Sequence, residues 1–497
     1  MPDTTVRIAI IGGGVAGLAT ACDLEHAARE RNLSLDLTLF ESKDCVGGKL
    51  HTIRDSGFLL EAGPNGWLDN EPATGRLLGR LGLETELLCS EEATRHRFVF
   101  RDGKLRELPL SPPAFLRSDI LPLSAKLRMA AELFIPARKN LGIAADDPST
   151  DETVFDFGRR RLGTAFAETL LDPMVKGVFG GDARRLSLAA AFPRMVELER
   201  DYGGLLKAMF RLGRERRTKG NGSASAAGPG GKLHSFRLGM AELPRSLHQA
   251  LQGEVLTGQP VTSLRLADGA WWVQAGEQEY GPFTAVVDAV PAHAAARHVP
   301  DPELARHLNA IPYAPMAVIT LAFHREQVEH SLRGFGMLNP SREQRQLLGV
   351  LWTTSIFKGR APADKIVLRC MVGGATNPDL VTLSDAELVE LCLAEQQSLY
   401  GLQGVPVKVW IFRHEKAIAQ YETGHLTRLA AIEAALESWP GLFLTGSSYR
   451  GVSVNHCIAE AERTTTAVLS WLNPRSGQYE PGASVHTSKP FSRMATT

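Results

Sequence analysis

The sequence predicts an α/β fold built around a parallel sheet, and three observations predict it. Val6-Arg7-Ile8-Ala9-Ile10-Ile11 is apolar at five of six positions, as a strand covered on both faces must be. It runs directly into Gly12-Gly13-Gly14-Val15-Ala16-Gly17, after which Leu18 to Leu24 carries a helical apolar pattern. Far along the chain, Leu442-Phe443-Leu444-Thr445-Gly446 repeats the passage, with a helix expected over Val452 to Leu469. Two strand–glycine–helix passages of this kind suit a Rossmann-like sheet that receives a ligand at its strand ends.

The first passage has a definite chemistry. Gly12 permits the tight turn, Gly14 lets backbone approach a pyrophosphate, and Gly17 lets the helix pack close on the strand. The helix start then offers free N–H groups and a positive dipole end to the phosphates. Leu35 to Phe40 alternates like a second strand and ends at Glu41, placed to accept the adenosine ribose hydroxyls. A glycine triplet alone is a weak signal; the ordered set makes Gly12, Gly13, Gly14, Val15, Ala16, Gly17, Glu41 and Ser42 a dinucleotide site. The chain then continues through Cys45 and Val46 to Gly47-Gly48-Lys49. A nicotinamide enzyme has no general use for that extension. The longer FAD has one, with Gly48 near its phosphates and ribityl chain and Lys49 as counter-charge. The plain alternative is a β-turn with a solvated lysine.

The remaining elements follow in order. Gly57 to Glu61 is a strand entering the turn Gly63-Pro64-Asn65-Gly66, and Arg97 to Arg106 reads as a hairpin around Asp102-Gly103. Leu108 to Asn140 is apolar and proline-punctuated, with cations Arg117, Lys126, Arg128, Arg138 and Lys139. It suits either a packed helical subdomain or an amphipathic surface resting on a bilayer. Val154 to Leu171 is helical, followed by Asp172-Pro173 and an expected loop from Lys176 to Asp182. Gly220 to Gly231 is a low-complexity insertion, expected to be mobile. Phe236 to Leu251 reads as loop and helix, and Val261 opens a strand series that returns to the nucleotide sheet by Val290. Ile319 to Phe323 and Ile366 to Val372 are strands, Leu388 to Leu399 is helical, and from Pro474 the chain is polar and expected to be disordered.

A length of 497 residues exceeds one ordinary core, so at least two interleaved domains are expected. The 55 cationic and 55 acidic side chains balance, which argues against nucleic-acid binding by counterion release. Cys22, Cys45, Cys89, Cys370, Cys392 and Cys457 contain no C-x-x-C pair and read as thiols in a reducing compartment, with no metal site. The early start of the nucleotide strand leaves no room for a leader, and no run approaches the ~20 apolar residues of a membrane span. The expected location is the cytoplasm, peripheral on the inner face of the cell membrane if the apolar stretch binds there.

From residue 6 to about 470 the text resembles the protoporphyrinogen oxidase family, within the flavin amine oxidase superfamily. The resemblance rests on the Gly-Gly-Lys segment and on Gly63-Pro64-Asn65, Arg97-Phe98-Val99, and Gly177 to Asp182 with Leu186-Ser187. It continues in Gly334-Phe335-Gly336, Arg360-Ala361-Pro362, Gly373 to Asn377 and Ser448 to Asn455. The Arg-Ala-Pro and Gly-Gly-Ala-Thr-Asn stretches look more like the plant and Gram-negative branch than the Gram-positive coproporphyrinogen branch. Arg450 stands where many relatives carry an acid, and the Gly220 insertion is no part of the family core.

The resemblance implies a p-hydroxybenzoate-hydroxylase-like FAD-binding domain, interleaved with a mixed-sheet substrate domain and an α-helical membrane-binding subdomain. The expected segments are 1–90, 233–295 and 426–473 for FAD, 91–215 for substrate and helical parts, and 296–425 for substrate. An insertion at 216–232 and a tail at 474–497 complete them. It also implies non-covalent FAD, held further by Gly63, Pro64, Asn65, Val261, Gly446, Val452, Ser453 and Val454. The implied reaction is oxidation of a porphyrinogen with oxygen as acceptor. Arg97 would pair with a propionate, Leu338, Leu351 and Met371 would hold the rings with Phe335 beside them, and Gly177 would let backbone near the macrocycle. Asn65 is a candidate polar group at the reacting centre, and no general base is assigned. Each has a plain alternative: Arg97 as a surface salt bridge, the aliphatics as core. Other readings stay open: coproporphyrinogen oxidation, a flavin amine oxidase with an aromatic cage, and a non-catalytic scaffold. Partners on the first reading are the tetrapyrrole, molecular oxygen, a membrane surface, and a ferrochelatase or a second copy of the chain.

Overall fold

The computed structural model describes residues 5–138, 150–218 and 231–472. Most of the expected Gly220 insertion, the tail from Pro474, and Lys139 and Asn140 lie outside the described residues.

The nucleotide sheet has five strands in the order Glu254–Leu256, Leu35–Phe40, Val6–Ile11, Ala285–Asp288, Leu442–Leu444, all parallel. Alternation divides its apolar run between two cores. Ile8, Ile10, Leu37, Leu39 and Val287 pack with Leu18 and Leu24 of the helix Val15–Glu30 and with Ile458 and Ala461 of the helix Val454–Leu472. Ala9, Ile11, Phe40 and Val286 pack on Trp271, Val273 and Phe283 of the antiparallel strands from Val261 to Phe283. The first strand therefore has no wet face, and each buried Ile contributes about 1.5–3 kcal/mol of transfer free energy.

A second sheet has seven strands: Lys408–Ala419, Tyr313–His324, Lys365–Gly373, Leu347–Trp352, Gly336–Leu338, Phe98–Arg101 and Lys104–Glu107. One face packs Ile319, Leu321, Val350, Trp352 and Leu368 against Leu388, Cys392 and Tyr400 of the helix Asp385–Tyr400. Ser384 and Glu387 close that helix start with a reciprocal capping box. The other face turns toward the nucleotide domain.

Helices Pro112–Arg117, Leu123–Ala130, Val154–Leu162, Pro193–Tyr202 and Leu205–Thr218 form the helical region. Arg161 and Glu132 are paired at zero exposure inside it. Glu132 also accepts from Leu205 N at 2.8 Å and Leu206 N at 3.1 Å, tying one helix start to another segment. One expectation is corrected here. Lys176 to Phe179 is not loop: Asp172–Phe179 is helical and ends at Gly180, φ 55°. Pro173 sits at the start of the helix, where its missing N–H costs nothing. Within this helix position 177 is a glycine because Leu338 fills the space beside it, its methyls 3.1 Å from where a Cβ would stand.

Candidate active site

Three glycine passages converge at the carboxyl ends of the nucleotide strands. Gly12 turns at φ 103°, and a Cβ on Gly17 would lie 2.0 Å from Gly12 O, so the helix and the turn touch backbone to backbone. A Cβ on Gly14, the residue before the helix, would meet nothing within 4 Å. The open space lies at the helix N-terminus, as a phosphate cradle requires. Gly47 N donates to Gly13 O at 2.8 Å, and a Cβ on Gly48 would stand 3.2 Å from Gly14 Cα. Gly446, φ 106°, brings the closing passage to Ala16, 3.5 Å from its own Cβ position. There Ser453 Oγ caps the last helix, accepting from His456 N at 3.2 Å, between Val452 and Val454.

Glu41 has a task that sequence spacing does not show. Its Oε2 accepts from Gly13 N at 2.7 Å, and its Oε1 from Lys43 N at 2.8 Å and Ser42 Oγ at 3.2 Å. The carboxylate holds the glycine turn in shape and keeps further lone pairs for a ribose. Gln259 N donates to Glu41 O at 2.9 Å, which leads the strand opening at Val261 past the same corner.

Lys49 does not stay beside the glycines. Its ammonium donates to Lys416 O at 3.4 Å and to Ala417 O on the large sheet. Its surface is accessible, yet the protein enclosing it desolvates the amine and lowers its pKa, as expected for a group lining a concavity. Gly63 is pressed between the domains: a Cβ there would lie 2.1 Å from Lys49 O, and its carbonyl accepts from Arg369 Nη2 at 2.6 Å. His414 Nε2 stands 3.0 Å from Ala62 O. Asn65 follows on this clamped segment, half-buried. Burial pushes the Arg369 guanidinium down to about 10 and lowers His414. His293 is pushed down to about 4 by burial and by Lys416 and Lys49 nearby. Arg369, His414 and His293 are absent from the sequence prediction. The one signal was Arg369 itself, a cation within the otherwise apolar run from Ile366 to Gly373.

The apolar trio comes together. Register places Val99, Leu338, Gly349, Met371, Val318 and Phe412 in one row across the large sheet. Leu351, two residues from Gly349, pairs with Arg369. Leu338, Leu351 and Met371 therefore share the face from which Arg369 reaches Gly63. All three are partly exposed, whereas Met337, Val350 and Cys370, their neighbours on the opposite face, are buried. Arg97 lies just before Phe98–Arg101, and alternation puts it with Val99 and Leu338. Its guanidinium stands 5.2 Å over the Phe335 ring, half-buried, and burial lowers its pKa. Among the described residues no carboxylate pairs with it. Arg450 pairs with Glu433.

The flavin-containing amine oxidoreductase family matches residues 15–469. The chain belongs to that family. This oxidoreductase is 28% identical to the coproporphyrinogen III oxidase of Bacillus subtilis (strain 168), over 95% of this chain and all of the relative. It is 29% identical to protoporphyrinogen oxidase 2 of Arabidopsis thaliana, over 96% and 97% of the two chains. A crystal structure from Exiguobacterium sp. 255-15, assigned to protoporphyrinogen oxidase, superposes with a TM-score of 0.78 at 26% identity, covering 94% of this chain and 99% of that one. The flavoenzyme uses FAD, and the open cradle at Gly14 fits its pyrophosphate. Among the described residues no metal cluster occurs and no helix is long and apolar enough to cross a membrane.

Proposed function

We propose that this FAD enzyme oxidises a porphyrinogen, with protoporphyrinogen IX as the substrate. The observation that carries the reading is Arg97, which among the described residues has no carboxylate partner and stands over the Phe335 ring at the edge of the Leu338–Leu351–Met371 face. A half-buried cation beside an apolar wall suits a ligand that is apolar in its rings and anionic at its arms. The named activities of the relatives support the same class. FAD, when bound, supplies the two-electron acceptor for each step. Arg97 pairs with a propionate, the three aliphatics and Phe335 hold the rings, and the exposed Gly177 backbone approaches the macrocycle. Arg369 and His414 fix the segment that presents Asn65. One protoporphyrinogen IX and three O2 give one protoporphyrin IX and three H2O2. The FAD is non-covalent, gripped by the three glycine passages together with Glu41, Ser42, Lys49, Gly63, Pro64 and Val261.

Anaerobic titration of the flavin-loaded protein tests this. Protoporphyrinogen IX should bleach the flavin and become fluorescent porphyrin, with coproporphyrinogen III weaker and a primary amine inert. Bleaching by the amine alone, or by no porphyrinogen, would overturn the reading. Faster bleaching by coproporphyrinogen III would reassign the substrate.

We also propose peripheral docking on the inner face of the cell membrane. Leu116, Leu123, Leu127 and Phe134 are 67%, 71%, 64% and 86% exposed, and Arg117, Lys126 and Arg128 are interspersed with them. Leucines and a phenylalanine this open, among cations, suit the interface of an anionic bilayer. The purified protein should sediment with anionic vesicles. Leu123→Asp with Leu127→Asp and Phe134→Asp should leave it in the supernatant with its flavin intact, weakening binding on the order of 100-fold or more at about 1.5–3 kcal/mol per side chain. Wild-type protein that stays in the supernatant would refute docking and leave a packed helical region.

A further inference from the structure

We propose that Cys89 is an activated thiol, and that His234 and Asp69 prepare it for exchange with low-molecular-weight disulfides. The three residues lie outside the substrate face, on a small antiparallel sheet of Trp67–Leu68, Leu233–Phe236 and Leu87–Cys89. Register sets Trp67, His234 and Cys89 in one row, with His234 in the middle. The two imidazole nitrogens serve two different partners. His234 Nε2 is 3.2 Å from Asp69 Oδ2, and Nδ1 is 3.6 Å from Cys89 Sγ.

This arrangement decides the tautomer. A carboxylate can only accept, so the Nε2–H donates to Asp69, and the Nδ1 lone pair faces the thiol hydrogen. Asp69 is itself held, its Oδ1 accepting from Lys232 N at 2.8 Å. The His234 ring lies along Trp67 with centroids 6.3 Å apart and planes 28° apart, which restrains its rotation. The His234 side chain is only 13% exposed, whereas Cys89 is open to solvent. Nucleophile, base and orienting acid therefore occur in sequence, with the nucleophile accessible.

The step is balanced without an outside oxidant other than the disulfide. The Cys89 proton passes to His234 Nδ1 and the thiolate attacks one sulfur of R–S–S–R. A Cys89–S–S–R bond forms, the R–S–S–R bond breaks, and the departing RS⁻ takes the proton from His234 as RSH. The adduct would stand close to the segment carrying Asn65, because a Cβ on Gly66 would lie 2.4 Å from His234 O.

The chain contains its own control. Cys45 is equally exposed, and among the described residues its thiol has no hydrogen-bond partner. Cys22 and Cys457 are each pushed up to about 12 by burial, and Cys370 and Cys392 are buried. The full-length, flavin-loaded protein is incubated with oxidised glutathione, quenched in acid at intervals, and mapped by peptide mass. Cys89 should acquire glutathione about 10-fold or more faster than Cys45. His234→Gln should bring Cys89 down to the Cys45 rate, and Asp69→Asn should give an intermediate value, with Cys45 unchanged in both. Cys45 reports any general loosening of the fold. Equal rates at Cys89 and Cys45 in the wild type, or a Cys89 rate indifferent to His234→Gln, would overturn the proposal. The wild-type comparison decides by itself if the variant does not fold.

Discussion

Gly14→Val should yield a folded chain that is colourless and refuses FAD. Gly14 has φ −76° and ψ 177°, an ordinary extended conformation, so valine brings no backbone strain. Its Cβ position meets no protein atom within 4 Å, so valine also brings no internal clash. What it fills is the space through which the helix N-terminus meets a pyrophosphate. The flavin absorbance per chain should fall from near stoichiometric to near zero. Melting of the apo-protein should stay within about 2 °C of wild-type apo-protein, as for other changes that disturb no packing. The comparison must be between apo-forms, because bound cofactor raises the melting temperature by mass action. Gly17→Val is the informative contrast. Its Cβ would lie 2.0 Å from Gly12 O, a backbone atom that cannot yield, so this variant should fail to fold. A yellow Gly14→Val protein would show that the cofactor's phosphates lie elsewhere.

Arg97→Ala should raise the porphyrinogen KM on the order of 10- to 100-fold while the protein keeps its flavin and its stability. A charge-assisted hydrogen bond contributes about 1.5–3 kcal/mol, and 1.4 kcal/mol is tenfold. Among the described residues Arg97 has no carboxylate partner whose charge would be left buried by its removal. Among the described residues its guanidinium meets the Phe335 ring, 5.2 Å from the centroid. The folded state therefore loses little, and the ligand loses its anion partner. Arg97→Lys should recover only part of the loss, since an ammonium cannot reproduce two parallel hydrogen bonds to a carboxylate. Unchanged kinetics in a flavin-loaded Arg97→Ala protein would remove Arg97 from the substrate site.

The nucleotide end of the molecule was readable because its parts are contiguous. Strand, turn and helix from Val6 to Glu30 follow one another in the chain, and each glycine answers a constraint set by neighbours a few residues away. Glu41 was placed correctly at its strand end, but its hydrogen bond to Gly13 N spans 28 positions and leaves no periodic trace. Gly177 is helical where a loop was expected, for a related reason. A helical glycine and a loop glycine look alike until the neighbour that needs the space, here Leu338, is known.

By itself the sequence determined the parallel nucleotide sheet and its cofactor class, which rest on local spacing and turn chemistry, while the flavin oxidoreductase family rested on the resemblance of its motifs. It also named Arg97, Leu338, Leu351 and Met371, but only as candidates with dull alternatives. The tertiary structure added their shared face and partial exposure, because these are properties of a packed surface. Only the tertiary structure could join Arg369 to Gly63 across 306 positions, or gather Asp69, Cys89 and His234 into one row. Sheet register determines which side chains share a face, and register between distant strands is set when the whole chain buries its apolar faces together.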